Sequence, residues 1–308
     1  MDSSRTAFVF PGLNGCAHAA EHLPLLRLPG FATRWQLVTN AFAAHDGFAA
    51  FSRALHAGHE LPMSAATWTW RALAVTAMQL AMAAELEQRG EHAHWLCSYS
   101  IGDVARSCHA DITSFGEVVA FAAALPPLPA AAGTTAAMHC ATPSLADRLH
   151  AHGDELRLCT SRLSPRFLLV AGARTAVEGA VVRAHALGAR ALAVGQCPLH
   201  ASEQVPLAQI LLAALARRGL RPAQRPTFST LWGRAVTIDD DVGAEFAANV
   251  AAPCDFATTV RRLHVEHGVT RFIDLGPGRH AQRFVRHHDL PLTAIAASEL
   301  LTLKAARA

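Results

Sequence analysis

The stretch HWLCSYSIGDV, residues 94–104, restricts the possible folds of this chain more than any other feature of its sequence. Residues 94–98 are typical of a short buried strand, and helical character resumes after Ser100, which therefore stands at a turn from strand to helix. The segment SYSIG nearly matches Gly-x-Ser-x-Gly, a pattern in which the serine lies on a sharp turn at the edge of an α/β sheet. Ser98 and Gly102 are both small, so the turn can form without the first glycine. The alternative for Ser100 is an N-cap serine on the following helix.

Strand and helix signals alternate through most of the remaining sequence, which favours an α/β fold. The run from Thr6 to Phe10 is apolar and ends at Pro11-Gly12, as expected for a buried strand that leads into a loop. A second predicted strand, over residues 271–275, leads into Gly276-Pro277-Gly278. We predict helices over residues 41–57, 68–89, 203–218 and 255–267, the second of which is stopped by Gly90.

The order of the elements changes between residues 134 and 194, where the signals run strand, helix, strand, strand, helix, strand. This order is typical of a ferredoxin-like split βαβ unit. We therefore predict a small subdomain over residues 134–195, inserted into a large α/β subdomain made of residues 1–133 and 196–308. The predicted pieces of the insert are residues 135–141, 144–151, 155–160, 167–171, 175–186 and 190–194.

Composition excludes several classes of protein. The 308 residues are 51% hydrophobic, enough for a sizeable core, and the net charge of +3 comes from scattered arginines and one lysine, so we expect no nucleic-acid partner. No stretch has the features of a signal peptide or the length of a membrane span, so we expect neither secretion nor a membrane. The seven cysteines are widely spread and form no C-x-x-C pair, which favours reduced thiols in a cytoplasmic protein.

Eighteen histidines raise the question of a metal site. The sequence contains neither H-E-x-x-H nor a Cys/His zinc spacing, so we predict no metal and surface positions for most of these side chains. The candidate pairs are His92/His94, His264/His267 and His287/His288.

Five separated motifs together resemble one family, the malonyl-CoA:acyl carrier protein transacylases and the acyltransferase domains of polyketide synthases. The segment FVFPG, residues 8–12, is similar to their opening FxFPGQG, and SYSIGD, residues 98–103, takes the place of GHSxGE. The other three are CPLH (197–200), which resembles the segment of the family's histidine, NVAAPCDF (249–256), which resembles QxxxPVxF, and DLGPG (274–278), which resembles E-x-GPG. The resemblance implies an α/β-hydrolase-like large subdomain beside the ferredoxin-like insert.

The resemblance also implies roles for particular residues. Ser100 would be the nucleophile and His200 its base, although a lone histidine after a proline is more often a surface residue. Asn249 would help to hold that histidine through its main-chain carbonyl; its alternative is a helix C-terminal cap. The main-chain N–H groups of Ile101 and Leu13 would form the oxyanion hole.

Three residues depart from the family's pattern. Tyr99, the only tyrosine, stands where the family usually has histidine, although the transacylase subunit of malonate decarboxylases also lacks that histidine. Leu13 replaces a glutamine, and its main-chain donor is kept. Leu125 stands where the family places the arginine that binds a malonyl carboxylate, and no arginine or lysine occurs between Arg106 and Arg148. We predict an uncharged acyl group, in a pocket formed by Tyr99, Leu125 and Leu199.

The segment PPLPAAAG, residues 126–133, replaces a helical segment of the family. This change opens an apolar acyl pocket or marks a degenerated site, and the sequence does not decide between the two. The resemblance thus implies an acyltransferase of polyketide or related specialised biosynthesis, with acyl-CoA and acyl carrier protein as partners and no cofactor beyond the thioester substrate. Two alternatives stay open: a hydrolase that removes acyl groups from carrier proteins, and a catalytically degenerate subunit that binds a carrier protein.

Overall fold

A computed structural model of the chain describes residues 5–13, 19–59, 61, 67–125, 133–195 and 199–305. The strands are β1 Arg5–Phe10, β2 Trp95–Ser98, β3 Thr134–His139, β4 Cys159–Ser164, β5 Phe167–Gly172, β6 Arg190–Gly195, β7 Phe228–Ser229, β8 Arg234–Ala235, β9 Val269–Asp274 and β10 Thr293–Ala296. The helices are α1 Ala19–His22, α2 Pro29–Phe42, α3 Phe48–Ala57, α4 Trp68–Gln88, α5 Gly102–His109, α6 Phe115–Ala124, α7 Pro143–Glu155, α8 Arg174–Ala186, α9 Val205–Leu215, α10 Val242–Asn249, α11 Phe256–His267, α12 His280–Arg286 and α13 Ala297–Ala305.

The larger sheet is parallel, with the strand order β10-β9-β1-β2. In its register Phe8 lies opposite both Leu96 and Ile273. Because side chains alternate along a strand, Phe8 and Leu96 belong to the hydrophobic cluster on one face of the sheet, whereas Val9 and Cys97 belong to the cluster on the other. Both faces are therefore covered, as is usual for a parallel sheet.

The long helix α4 forms the centre of the core on one face of this sheet. It is buried along nearly its whole length and packs against α2, α5 and α13. The single helix that we predicted over residues 41–57 is wrong. The chain breaks there between α2 and α3, where Gly47 adopts a positive φ of 82° that ends regular helix.

The second sheet is antiparallel, with the strand order β4-β5-β3-β6, and α7 and α8 pack against it. This is the strand order of a ferredoxin-like unit, so the predicted fold class is confirmed. One boundary differs, because the strand predicted over residues 155–160 lies at 159–164. Helix α7 runs as far as Glu155, and the chain then turns through Arg157, which has a φ of 56°.

Two further helices, α9 and α10, pack against each other beside the carboxyl end of β2. They close one side of the space that faces α4, α5 and α6. Among the helices in the described part of the chain, none is both long and apolar enough to cross a bilayer.

Candidate active site

Ser100 lies in the turn between β2 and α5, in the position that the sequence predicts. Its backbone has a φ of 59°, in the left-handed region that a residue with a side chain rarely adopts. Such a conformation costs about 1–3 kcal/mol and persists only where the surrounding structure enforces it. The N-cap of α5 is Ile101, not Ser100, and the Ser100 hydroxyl is engaged elsewhere, as described below. The N-cap alternative is therefore wrong.

Two glycines allow this turn to press against the edge of the sheet. A Cβ atom on Gly102 would lie 1.9 Å from the carbonyl oxygen of Phe10, inside the backbone of β1. A Cβ atom on Gly12 would lie 2.9 Å from the Ser100 Cβ and 3.3 Å from its Oγ. Any side chain at either position would collide with its neighbour. The Pro-Gly loop and the serine turn can therefore approach this closely only because both positions are glycine.

Buried hydrogen bonds hold the Pro11 loop in place. Gln79 reaches from α4 and donates from Nε2 to the Pro11 carbonyl at 2.6 Å. On its other side the loop contacts Gly276, where a Cβ atom would lie 2.6 Å from the Pro11 Cγ. The Asp274 carboxyl accepts the N–H groups of Gly276 at 2.8 Å and Gln282 at 2.9 Å, which fixes that second loop. The motifs FVFPG and DLGPG thus form adjacent loops at one end of the parallel sheet.

Burial raises the pKa of Asp274 to about 6, against the opposing effect of the hydrogen bonds from main-chain N–H groups. The carboxyl is almost completely enclosed, so its charged form has lost its hydration.

His200 lies beside Ser100, although one hundred positions separate them. The His200 Nε2 is 2.8 Å from the Ser100 Oγ. The histidine itself has a φ of 60°, and its main-chain N–H donates to the Val250 carbonyl at 2.8 Å. Its side chain is buried, so the surface position that was the alternative for His200 is wrong.

The second nitrogen of the ring fixes the tautomer. The His200 Nδ1 is 3.1 Å from the carbonyl oxygen of Ala252, and because a carbonyl only accepts, Nδ1 carries the proton. Nε2 is then free to accept the hydroxyl proton of Ser100. Burial lowers the pKa of His200, and the main-chain carbonyls of Ala252 and Asn249 oppose this shift. The ring is therefore neutral near pH 7, in the form that can take up a proton.

Asn249 acts on the site through both its main chain and its side chain. Its main-chain carbonyl hydrogen-bonds the His200 ring, in the part implied by the resemblance, beside the 3.1 Å contact of Nδ1 with the Ala252 carbonyl. The Asn249 side chain also donates from Nδ2 to the main-chain carbonyl of Ser100 at 3.1 Å and to the Asp103 carboxyl. Asn249 is the last residue of α10, whose C-cap is Val250, so the cap alternative is wrong. Its amide holds the backbone of the serine turn.

A buried polar network beneath the turn was missed by the sequence reasoning. The Asp103 carboxyl accepts the Ser98 hydroxyl as well as Asn249, and it lies 3.9 Å from Arg106. Arg106 in turn makes a two-pronged ion pair with Glu245, at 3.1 and 2.7 Å. Burial raises the pKa of Asp103 to about 6; Glu245 adds to this rise and Arg106 opposes it. The network ties β2, α5 and α10 together directly under the serine.

The main-chain N–H groups of Ile101 and Leu13 were predicted as an oxyanion hole. Both residues are buried, Ile101 directly after the serine and Leu13 directly after Gly12, which packs against Ser100. Among the main-chain hydrogen bonds of the described residues, none uses either N–H group as its donor. Their role as an oxyanion hole stays a prediction.

A small cavity, with about 260 Å³ of empty space that is partly open to solvent, lies at the serine and the histidine. Its other walls include Leu199, as predicted, together with Trp68, Phe246 and Val250. Leu125, the last residue before the undescribed segment 126–132, lies in a neighbouring cavity that shares several of these walls.

Tyr99 does not line either cavity, so its assignment to the acyl pocket is wrong. Its ring is buried on the opposite face of the sheet, with ring centroids 4.9 Å from Phe256 and 6.1 Å from Phe284. Strand alternation explains this placement, because Tyr99 follows Cys97 on that face while Ser98 points to the other.

No arginine or lysine lines the cavity at Ser100 or its neighbour in the described part of the chain. The internal segments outside the described residues, 14–18, 60, 62–66, 126–132 and 196–198, contain no arginine or lysine either. Arg106 is close in sequence, but its guanidinium is buried and paired with Glu245. The described walls thus contain no cation that could neutralise a buried acyl carboxylate.

The predicted metal candidates have other contacts. His94 Nδ1 accepts the Thr6 N–H at 3.1 Å, His264 Nδ1 bonds the Val269 carbonyl at 2.9 Å, and His287 Nδ1 lies 2.8 Å from the Ser164 hydroxyl. Among the described residues, no group of three or more His, Cys, Asp or Glu side chains could hold a metal ion.

Two stretches named in the sequence analysis lie at least partly outside the described residues. They are the segment PPLPAAAG, residues 126–133, of which only Gly133 is described, and Cys197 and Pro198 of CPLH.

Comparison with known proteins identifies solved structures that have the same fold. No family model and no curated protein matches the chain by sequence. Solved structures match over nearly its whole length. A malonyl CoA-acyl carrier protein transacylase from Clostridium perfringens is 18% identical, with a TM-score of 0.78, and the match covers 99% of this chain and 98% of that one. A malonyl-transacylase solved in complex with its type II polyketide synthase acyl-carrier protein is 21% identical, with a TM-score of 0.78, covering 98% of this chain and 100% of that one.

The acyltransferase domain of the second module of the salinomycin polyketide synthase is also similar, at 22% identity and a TM-score of 0.74, covering 95% of this chain and 68% of that one. The expected resemblance is therefore confirmed at the level of the fold: the chain has the fold of these transacylases and acyltransferase domains.

Proposed function

We propose that the protein is an acyltransferase that moves an acyl group between two thioesters through an acyl-serine at Ser100. The observation that carries this proposal is the 2.8 Å contact between the Ser100 Oγ and the Nε2 of a histidine whose Nδ1 proton is held by the Ala252 carbonyl. A nucleophile, its base and the group that orients the base are the three parts that acyl transfer requires.

In the first half-reaction the Ser100 Oγ attacks the carbonyl carbon of an acyl thioester, and its proton passes to His200 Nε2. The N–H groups of Ile101 and Leu13 stabilise the oxyanion of the tetrahedral intermediate. The carbon–sulfur bond then breaks, and the protonated His200 returns the proton to the departing thiolate. In the second half-reaction another thiol gives its proton to His200, and its sulfur attacks the carbonyl carbon of the acyl-serine. The ester bond to the Ser100 Oγ then breaks, and His200 returns the proton to that oxygen, which regenerates the free hydroxyl.

The substrate that we propose is an acyl-CoA or acyl carrier protein whose acyl group carries no charge. The described walls beside Ser100 support this choice, because they offer a malonyl carboxylate no arginine or lysine. A buried carboxylate without such a partner carries a desolvation penalty of about 5 kcal/mol. The similar structure of a transacylase bound to its acyl-carrier protein supports a carrier protein as acceptor, in polyketide or related biosynthesis.

The test is a two-step loading experiment followed by intact-mass measurement. The protein is incubated with acetyl-, octanoyl- and malonyl-CoA, the adduct is isolated, and its discharge is followed with and without holo carrier protein. We expect octanoyl and acetyl adducts that discharge to the carrier protein much faster than they hydrolyse in buffer. Discharge in buffer alone at the same rate would identify a hydrolase instead. The complete lack of any adduct would contradict both the acyltransferase and the hydrolase. The remaining alternative would then be a subunit that binds a carrier protein without catalysis.

A further inference from the structure

Two larger cavities lie next to the small one at Ser100. The first, which we call the near chamber, has about 570 Å³ of empty space, part of it open to solvent, and shares Trp68, Ile101, Phe246 and Val250 with the cavity at the serine. The second, the far chamber, has about 730 Å³ of empty space, also partly open to solvent, and shares Val104, Val118, Phe121 and Phe246 with the near chamber. The near chamber is therefore adjacent both to the cavity at the nucleophile and to the far chamber.

The near chamber is apolar. It lies between α4, α6, α9 and α10, and no charged side chain is among its described walls. On α6 the lining residues are Val118, Phe121 and Ala122, which recur at the three- and four-residue spacing of one helix face, and the C-cap residue Leu125 follows them. A ligand in this space would leave water for hydrocarbon surroundings, which favours methylene groups and disfavours charge.

Phe121 borders both the near chamber and the far chamber. Its ring lies 5.5 Å from the guanidinium carbon of Arg218, an exposed residue of the far chamber, and Glu117 also lines that far space. The described walls thus change from uncharged in the near chamber to partly charged in the far chamber. An apolar chain would end where Phe121 and Val118 border the far chamber.

Resting on the function proposed above, we infer that the near chamber holds a linear, medium-length, saturated acyl chain while its carbonyl is bonded to Ser100. From Val118 on α6 to its C-cap residue Leu125 the chain advances seven residues, or about 10 Å at the rise of an α-helix. An extended chain advances about 1.2 Å per bond, so about eight carbons fill this length. Each buried methylene should raise the loading rate by up to about fourfold.

The first experiment measures binding and does not depend on catalysis. Ser100→Ala protein is titrated with acetyl-, butyryl-, hexanoyl- and octanoyl-CoA by calorimetry. We expect affinity to rise with chain length up to about eight carbons and then level off. Equal affinity for acetyl- and octanoyl-CoA would overturn the inference that the near chamber binds the acyl chain, whatever reaction the protein catalyses. Chain-dependent binding together with a complete failure of the wild-type protein to load would instead refute the proposed function and leave the chamber standing.

The second experiment reduces the space in the near chamber by substitution. Ala122→Phe adds a phenyl ring to the chamber wall, whereas Ala120→Phe places the same side chain on the exposed face of the same helix and serves as the matched control. We expect Ala122→Phe to slow octanoyl loading at least tenfold and to leave acetyl loading within about twofold, with Ala120→Phe unchanged. If Ala122→Phe does not fold, Phe121→Ala gives the opposite test, because it joins the chambers and should move the optimum to longer chains. An unchanged chain-length profile in a folded variant would contradict the inference.

Discussion

Replacing Gly12 by alanine tests whether the Pro-Gly loop sets the position of the nucleophile. Gly12 does not have a positive φ, so alanine fits its backbone conformation and the only conflict is one of space. The new Cβ atom would lie 2.9 Å from the Ser100 Cβ. Two carbon atoms in contact prefer about 3.5–4.0 Å, so the loop and the serine turn must separate by roughly 0.6–1 Å.

This separation is large on the scale of the Ser100–His200 contact. A misplacement of about 1 Å at a reacting group can cost about 100-fold in rate, which corresponds to about 2.7 kcal/mol of activation free energy. Overpacking of this kind costs about 1–3 kcal/mol of stability, which a chain of this size should survive with a melting temperature lowered by several degrees. We therefore expect a folded protein that loads acyl groups about 100-fold more slowly.

The assay is the initial rate of acyl adduct formation by intact mass, with the melting temperature measured on the same samples. Gly116→Ala on α6 is the matched control, since its Cβ atom would meet nothing closer than the Ser114 Oγ at 4.0 Å. We expect the control to load at the wild-type rate. A folded Gly12→Ala protein that also loads at the wild-type rate would refute the argument that this contact positions Ser100.

Three further predictions concern charge. Leu125→Arg should raise malonyl relative to octanoyl loading by about 10- to 150-fold, the value of a charged hydrogen bond of about 1.5–3 kcal/mol, and an unchanged ratio of the two rates would contradict the pocket assignment. Because burial lowers the pKa of His200, the loading rate should be flat above pH 6.5 and fall only below it; an inflection above 6.5 in the pH–rate profile would argue against His200 as the base. Burial raises the pKa of Asp274 to about 6, above its value of 3.8 in an unfolded chain, so the folded state holds the extra proton and its stability falls as pH rises between these values. In Asp274→Asn the urea concentration at the unfolding midpoint should change less with pH across that window than in the wild-type protein. An equally strong pH dependence of the midpoint in the variant would refute this assignment.

The sequence carried enough information to place the serine turn and its distant histidine. The small residues around Ser100, the strand before it and the helix after it are local features, and each follows from chain geometry. The pairing with His200 could be predicted only from motifs in a shared order, since no local rule connects positions one hundred apart. The ferredoxin-like insert was predictable because its element order is itself a recognisable pattern.

The errors have physical causes. The apolar periodicity of residues 41–57 continues across the break at Gly47, so periodicity alone could not separate α2 from α3. Tyr99 was placed by its nearness to Ser100 in sequence, whereas strand alternation turns adjacent side chains to opposite faces of the sheet. That rule was available from the sequence and would have corrected the assignment.

The buried network had no comparable signal. Arg106 and Glu245 are 139 positions apart, and a scattered arginine on an amphipathic helix reads as a surface residue until its partner is located. Only Asp103 could have been found, because it lies within the SYSIGD motif, one helical turn after the serine. Its hydrogen bonds to Ser98 and Asn249 depend on the tertiary structure.

The central claim is that Ser100 carries the acyl group, and the most direct test is the site of the adduct. The wild-type protein, Ser100→Ala and His200→Ala are each incubated with octanoyl-CoA, quenched in acid, digested and analysed by peptide mass. We predict one octanoyl group per wild-type chain, located on Ser100, with no adduct on Ser100→Ala and at least 100-fold slower formation on His200→Ala. An adduct that persists on Ser100→Ala, or that maps to another residue, would contradict the account.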